Sequence, residues 1–267
     1  MFVTGQADGS LSRVDRRSGE VTTSARYDAT GSIAGGGDNY LWVTSLSRDR
    51  VTWVQADSLD PLEHIPLSHE AKLIQSSLEI GGGSLWISEW APPAVSRWHL
   101  RTLSLARRYR LSPPEYPLEI VFGHDSAWVA LWTSNRLLRI RALDGQTSRI
   151  RVGSGPRDPA FGFGSVWVAM GQDGTVWRID PRAEKVQAVI RVGKMPWGLA
   201  VGSDSIWVTN HCDGSVSRID PETNSVVATV ETRFFPQWVA ADDGRVWVGL
   251  AEHPGAQGLH FEGCTTS

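Results

Sequence analysis

The sequence predicts an all-β chain folded as a β-propeller of seven blades, six being the alternative count, and three observations carry the prediction. An aromatic–aliphatic pair recurs at Phe2-Val3, Trp42-Val43, Trp86-Ile87, Trp128-Val129, Trp167-Val168, Trp207-Val208 and Trp247-Val248, at intervals of 40, 44, 42, 39, 40 and 40 residues. A second run follows each of the first six pairs: SLSRVD (10–15), RVTWVQ (50–55), AVSRWHL (94–100), RLLRIR (136–141), TVWRID (175–180) and SVSRID (215–220). Turn chemistry separates the runs, as at Asp213-Gly214 and Asp220-Pro221, where Asp-Gly favours a tight hairpin and Asp-Pro a type I turn. No sustained i, i+3, i+4 apolar pattern lies between them. A four-stranded unit repeated at this period must stack on its neighbours to bury its faces.

Taken in order, the first unit opens on a second strand, Phe2–Thr4, and continues through the Asp8-Gly9 turn to Tyr27 without an inner strand. The units around Trp42, Trp86, Trp128, Trp167 and Trp207 each have room for four strands. The last supplies Trp238–Ala241 and Val246–Leu250, a weak third candidate at Gly258–Glu262, and a weakly structured closing tail over 251–267. Residues 1–267 are therefore read as one domain, and about 20 upstream residues are expected to complete the ring. In a six-bladed ring the terminal strands would instead share one closing blade.

Six of the 13 tryptophans stand at the recurring position, so they are core between blades before they are anything else. The net charge of −3 with interspersed signs gives no reason to propose nucleic acid. Cys212 and Cys264 make no disulfide framework, and their spacing matches no zinc motif. No apolar run approaches the ~20 residues of a membrane span. The chain is expected to act as a monomer, cytoplasmic as written and secreted or periplasmic if a leader precedes Met1.

SIWVTNHCDGSVSRIDPETNSVVATV and SVWVAMGQDGTVWRIDPRAEKVQAVIRVG resemble YVTN-type propeller repeats, and the preceding P-x-G-L-A-V-G resembles the virginiamycin B lyase-like propellers. The resemblance covers nearly the whole chain, strongly from 117 to 250. It implies a Mg2+-assisted lyase that opens a cyclic depsipeptide lactone by elimination, with histidines just after the proline of the first strand. The residues after the matching prolines here are Leu118, Arg157, Trp197 and Gln237. The lyase reading thereby loses its base.

Meander geometry puts the loops before the first strand and after the second on one face, at the mouth of a central channel. The candidate ligand-binding residues there are Glu89, Trp90, Glu119, Trp132, Arg157, Asp158, Trp197, Asn210, His211, Gln237 and Trp238. Glu119 and Asp158, with Glu89, suit a hard cation such as Mg2+ or Ca2+. Arg157 suits a carboxylate, and the tryptophans offer flat apolar walls. The plainer reading is that the acids and Arg157 neutralise one another while the tryptophans cap the core. His211-Cys212-Asp213 is too compact for zinc, and Glu252, His253, His260 and Cys264 match no structural zinc spacing. The expected function is a non-catalytic binding or sensor module for a small polar ligand or peptide. The alternatives are a metal-dependent lyase or hydrolase, and a scaffold for a protein partner.

Overall fold

The computed structural model describes residues 1–5, 9–27, 30–35, 39–45, 50–66, 77–242, 244–251 and 264. Every sheet among them is an antiparallel meander. Five have four strands, and each is named here by its recurring tryptophan: Trp42, Trp86, Trp128, Trp167 and Trp207. A three-stranded sheet, Phe2–Gly5, Ser10–Val14 and Val21–Arg26, precedes them, and a two-stranded one, Phe235–Asp242 and Arg245–Ala251, follows. Contacts divide the chain into two compact units, Met1–Ala127 and Trp128–Ser267. No helix among the described residues is long and apolar enough to cross a membrane.

Burial grades across each sheet. The second strands Ser84–Glu89 and Ser165–Met170 are buried throughout, because both faces of the sheet meet neighbours. The outer strand Ser225–Glu231 is exposed nearly throughout. Its Val-Thr composition holds it in extended form without a core to fill.

The recurring tryptophan is one part of a repeated three-residue device. Arg97, Arg178 and Arg218 pair across the strands with Trp86, Trp167 and Trp207. Each guanidinium lies over its indole, at 5.1, 4.8 and 5.7 Å from the ring centroid. Each Nε donates to the serine at the start of the second strand or just before it: Ser84 at 2.8 Å, Ser165 at 2.9 Å and Ser205 at 2.6 Å. Such a cation–π contact contributes roughly 0.5–1 kcal/mol. In the Trp42 sheet the arginine position holds Trp53, which stacks on Trp42 at 5.8 Å.

Two arginines at this position, Arg178 and Arg139, which lies over Trp128, also reach the next sheet. Arg139 Nη1 donates to Glu184 at 2.7 Å, and Arg178 Nη1 donates to Pro221 O at 2.6 Å and Asn224 Oδ1 at 2.9 Å. The recurrent aspartates are turn formers. Asp180 Oδ1 accepts the amides of Arg182 and Ala183, and Asp220 Oδ1 that of Glu222, which holds the Asp220 carboxyl below its ordinary value.

Two sequence expectations change. Among the described residues five sheets have four strands and the two at the ends have three and two, and the structure shows six blades, the alternative count, rather than seven. The strand proposed at Gly258–Glu262 lies outside the described residues. Cys212 and Cys264, read from the sequence as making no disulfide framework, form a disulfide with Cα atoms 4.9 Å apart. Their 52-residue separation carries no local spacing signal, and only the fold brings them together.

Candidate functional site

The first strands open with a bulge. Pro156 pairs with Met170 but Pro159 with Val168, so Arg157 and Asp158 together face a single residue. The slip recurs between Pro196 and Leu199, which sets Trp197 and Gly198 opposite Thr209. It recurs again between Pro236 and Trp238 at Gln237. A bulge re-aims side chains at a strand end, and a proline suits the position before it because it has no amide to pair. The backbone is fixed there by hydroxyls: Gly198 N donates to Thr209 Oγ1 at 2.8 Å, and that hydroxyl donates to Gln237 O at 2.9 Å.

In the unit Trp128–Ser267 the bulge and loop residues build a stack of flat groups. The Arg157 guanidinium carbon lies 3.5 Å from the Trp197 ring centroid and 4.5 Å from that of Trp132. Trp197 then meets His211 at 4.9 Å, and His211 meets Phe235 at 5.5 Å. His211 is fully buried, and its Nδ1 lies 3.2 Å from Pro236 O. Four successive sheets thus contribute five planar groups at one end of their strands. Trp132 and His211 each begin a short 3-10 turn after the second strand.

The other candidates in this unit are engaged in holding that arrangement. Asp158 Oδ2 accepts the Leu199 amide at 2.7 Å, tying one first strand to the next. Asn210 is wholly buried; its Oδ1 accepts Gly193 N, and its Nδ2 donates to Ser215 and Ser217. Gln237 is buried, whereas Trp238 is exposed. Asn210 and Asp158 therefore support the loops from within, where the sequence offered them as ligand contacts.

In the unit Met1–Ala127 the picture differs. Glu89 is buried and forms an ion pair with Arg108. Burial pushes its carboxyl up, opposed by Ser96 and Arg108. Its side chain is held within the sheet. Trp90 packs on Tyr116 at 5.0 Å, and Glu119 is half-buried between Leu118 and Ile120. Arg108 and Tyr116 were not singled out by sequence because neither occupies a repeated position.

Glu79 was also missed, although it breaks the repeat: the matching positions are Val121, Ala160, Ala200 and Ala240. Its Oε1 accepts the Phe122 amide at 3.3 Å, and burial pushes its carboxyl up from 4.5 to about 7. The folded chain therefore favours the protonated form. That contribution is fully present below pH 4.5 and is lost as the pH rises to about 7. The stability of the protein relative to Glu79→Gln is expected to fall by up to about 3 kcal/mol between these limits. Urea midpoints of the two proteins across that range measure it, and a pH-independent difference would refute it.

Among the described residues no three His, Cys, Asp or Glu side chains gather as a metal ion requires. Asp158 Oδ2 is engaged by the Leu199 amide. Glu252, His253 and His260 lie outside the described residues.

No family model matches the chain, and no curated protein matches it. Solved structures do. A selenomethionine-substituted virginiamycin B lyase from Staphylococcus aureus aligns at TM-score 0.72 and 20% identity over 82% of this chain and 76% of its own. A catalytically inactive form of virginiamycin B lyase from the same organism, crystallised with quinupristin, aligns at 0.81 and 15%, over 93% and 90%. A streptogramin B lyase aligns at 0.71 and 17%, over 82% and 75%. At these identities the likeness shows the fold alone, a β-propeller.

Proposed function

We propose that the chain is a non-catalytic binding module that takes a small ligand at the loop end of its second unit, around Arg157. The observation that carries this reading is the stack Trp132–Arg157–Trp197–His211–Phe235. All its members but Phe235, which opens a strand, come from bulges and loops, the places where sheets that otherwise copy one another differ. Flat apolar walls around one fixed polar group are the usual make-up of a small-molecule site.

The lyase reading draws on the similar structures and on the repeat resemblance. It has no histidine at Leu118, Arg157, Trp197 or Gln237 to act as base, and His211 is buried against Phe235 and Pro236. Proton abstraction needs a base within hydrogen-bond reach of the substrate. Virginiamycin B incubated with the protein and Mg2+ is accordingly expected to keep its lactone, as followed by chromatography. Appearance of the ring-opened elimination product would replace the binding reading with the enzymatic one. Binding itself is tested by following tryptophan emission across a panel of small amides, carboxylates and amines. A saturable response that Trp197→Ala abolishes supports the site, and saturable binding that Trp197→Ala leaves intact moves it elsewhere.

A further inference from the structure

We infer that the Cys212–Cys264 bond is a redox-sensitive clasp: a dithiol opens it, and the sheet Phe235–Ala251 then loosens at the loop end of the second unit. The inference stands apart from the binding reading above. The bond takes up both cysteines of the chain, so thiol chemistry acts at one place only. The turn that carries Cys212 has no need of a cysteine. His211 N donates to Met195 O at 3.0 Å, Cys212 N to Lys194 O at 3.2 Å, and Lys194 N to Asp213 Oδ2 at 2.6 Å. The preceding sheet builds the same three bonds without one: Gly171 N donates to Gly155 O at 2.8 Å, Gln172 N to Ser154 O at 3.3 Å, and Ser154 N to Asp173 Oδ2 at 2.6 Å. Gln172 there occupies the place of Cys212. The cysteine therefore serves the bond and not the turn.

The bond spans 52 residues and encloses the sheet Phe235–Asp242 and Arg245–Ala251. That sheet is thinly packed: its second strand buries only Ala251, whereas Ser84–Glu89, Ser126–Leu131 and Ser165–Met170 are buried throughout. A cross-link stabilises most where it confines a long segment with little core of its own, because it removes freedom from the open state. Noncovalent ties also hold this sheet to the one before it. Thr209 Oγ1 donates to Gln237 O at 2.9 Å, Thr232 N donates to Gly214 O at 2.6 Å, and His211 packs on Phe235. Those ties keep the opened chain folded, so the change is local. It reaches the aromatic stack, because Cys212 follows His211 and Phe235 lies inside the enclosed segment. Both cysteines are half-buried, which leaves their sulfurs within reach of a small thiolate. One thiolate of the dithiol attacks one sulfur and the other cysteine leaves; the second thiol of the reagent then displaces the first cysteine. Two electrons and two protons pass to the protein, which gains two thiols, and the dithiol closes to its own disulfide.

The test is hydrogen exchange, read by mass spectrometry, on the intact chain before and after dithiothreitol under native conditions. After oxidised glutathione the protein is expected to offer no thiol to a maleimide, and after dithiothreitol two. Reduction is expected to speed exchange over 235–251 by about tenfold or more and to change that over 165–191 by about twofold at most. Oxidised glutathione should restore the protection. The double variant Cys212→Ser, Cys264→Ser is expected to exchange as the reduced chain does with no reductant present, which assigns the effect to this bond. Should that variant not fold, the reduced chain capped with iodoacetamide takes its place. A bond that resists dithiothreitol in the folded chain overturns the inference, as do two thiols that persist after oxidised glutathione. Reduction that leaves exchange over 235–251 unchanged overturns it as well. An equal rise over 165–191 would make the bond a staple of the whole unit and not a local clasp.

Discussion

Trp167→Ala is expected to cost about 3–5 kcal/mol, the range for truncating a fully buried aromatic residue. The indole is 0% exposed and packs among Ala160, Ala169, Val176, Leu199 and Ile206. Its removal does more than leave a cavity. Arg178 loses the ring it lies over, and the Nε1 bond to Gly162 O at 3.0 Å disappears. Arg178 would keep Ser165, Pro221 and Asn224, so the link to the next sheet is expected to survive the loss of the ring. A double-mutant cycle with Arg178→Ala should give a coupling of roughly 0.5–1 kcal/mol. Trp238→Ala is the comparison, because that ring is 39% exposed; its cost should be about 1 kcal/mol or less. Urea unfolding of the two single variants, their double variant and Trp238→Ala decides the matter. Equal losses at Trp167 and Trp238 would mean that the recurring tryptophan is not the anchor. Should Trp167→Ala fail to fold, Trp167→Phe retains a stacking ring and isolates the Gly162 bond.

This device also shows what sequence could and could not reveal. A period near 40 exposed the sheets, the anchors and the turns, because each sheet solves the same packing problem with the same residue types. The arginine of Ser-Arg-Ile-Asp was visible as a repeat, yet its place over the tryptophan needs the register of two strands. Trp132, Arg157 and Trp197 were legible for the opposite reason. They stand at positions where copies of the unit disagree, and the bulge after each opening proline brings such positions together. Interactions outside the repeat left no trace. The Cys212–Cys264 bond spans 52 residues, and Glu89 finds Arg108 on a strand whose other arginines face solvent or stack on tyrosine. The blade count failed at the ends for a related reason: a period counts anchors, whereas a blade needs strands on both sides of each anchor.

The Glu89–Arg108 pair carries the other large effect. Glu89 is 2% exposed and Arg108 17%, so removing the arginine leaves a carboxylate in a poorly solvated place. Breaking a buried pair from one side costs about 3–5 kcal/mol, and Arg108→Ala is expected to reach that range at pH 8. The carboxyl has an escape, because burial already pushes it up while Arg108 and Ser96 hold it down. Without Arg108 it rises further, and the folded protein favours the proton more strongly. A raised carboxyl contributes stability at low pH that is lost as the pH climbs through its folded value. The penalty of Arg108→Ala should therefore shrink as the pH falls from 8 toward 5 and a proton for the buried carboxyl becomes easier to supply. Adding Glu89→Gln to Arg108→Ala removes the stranded charge, and the double variant should recover much of the loss at pH 8 and little at pH 5. Chemical denaturation of both variants at the two pH values is the measurement. A penalty independent of pH, unrelieved by Glu89→Gln, would show that Arg108 stabilises the sheet through its packing on the strand and not through its charge.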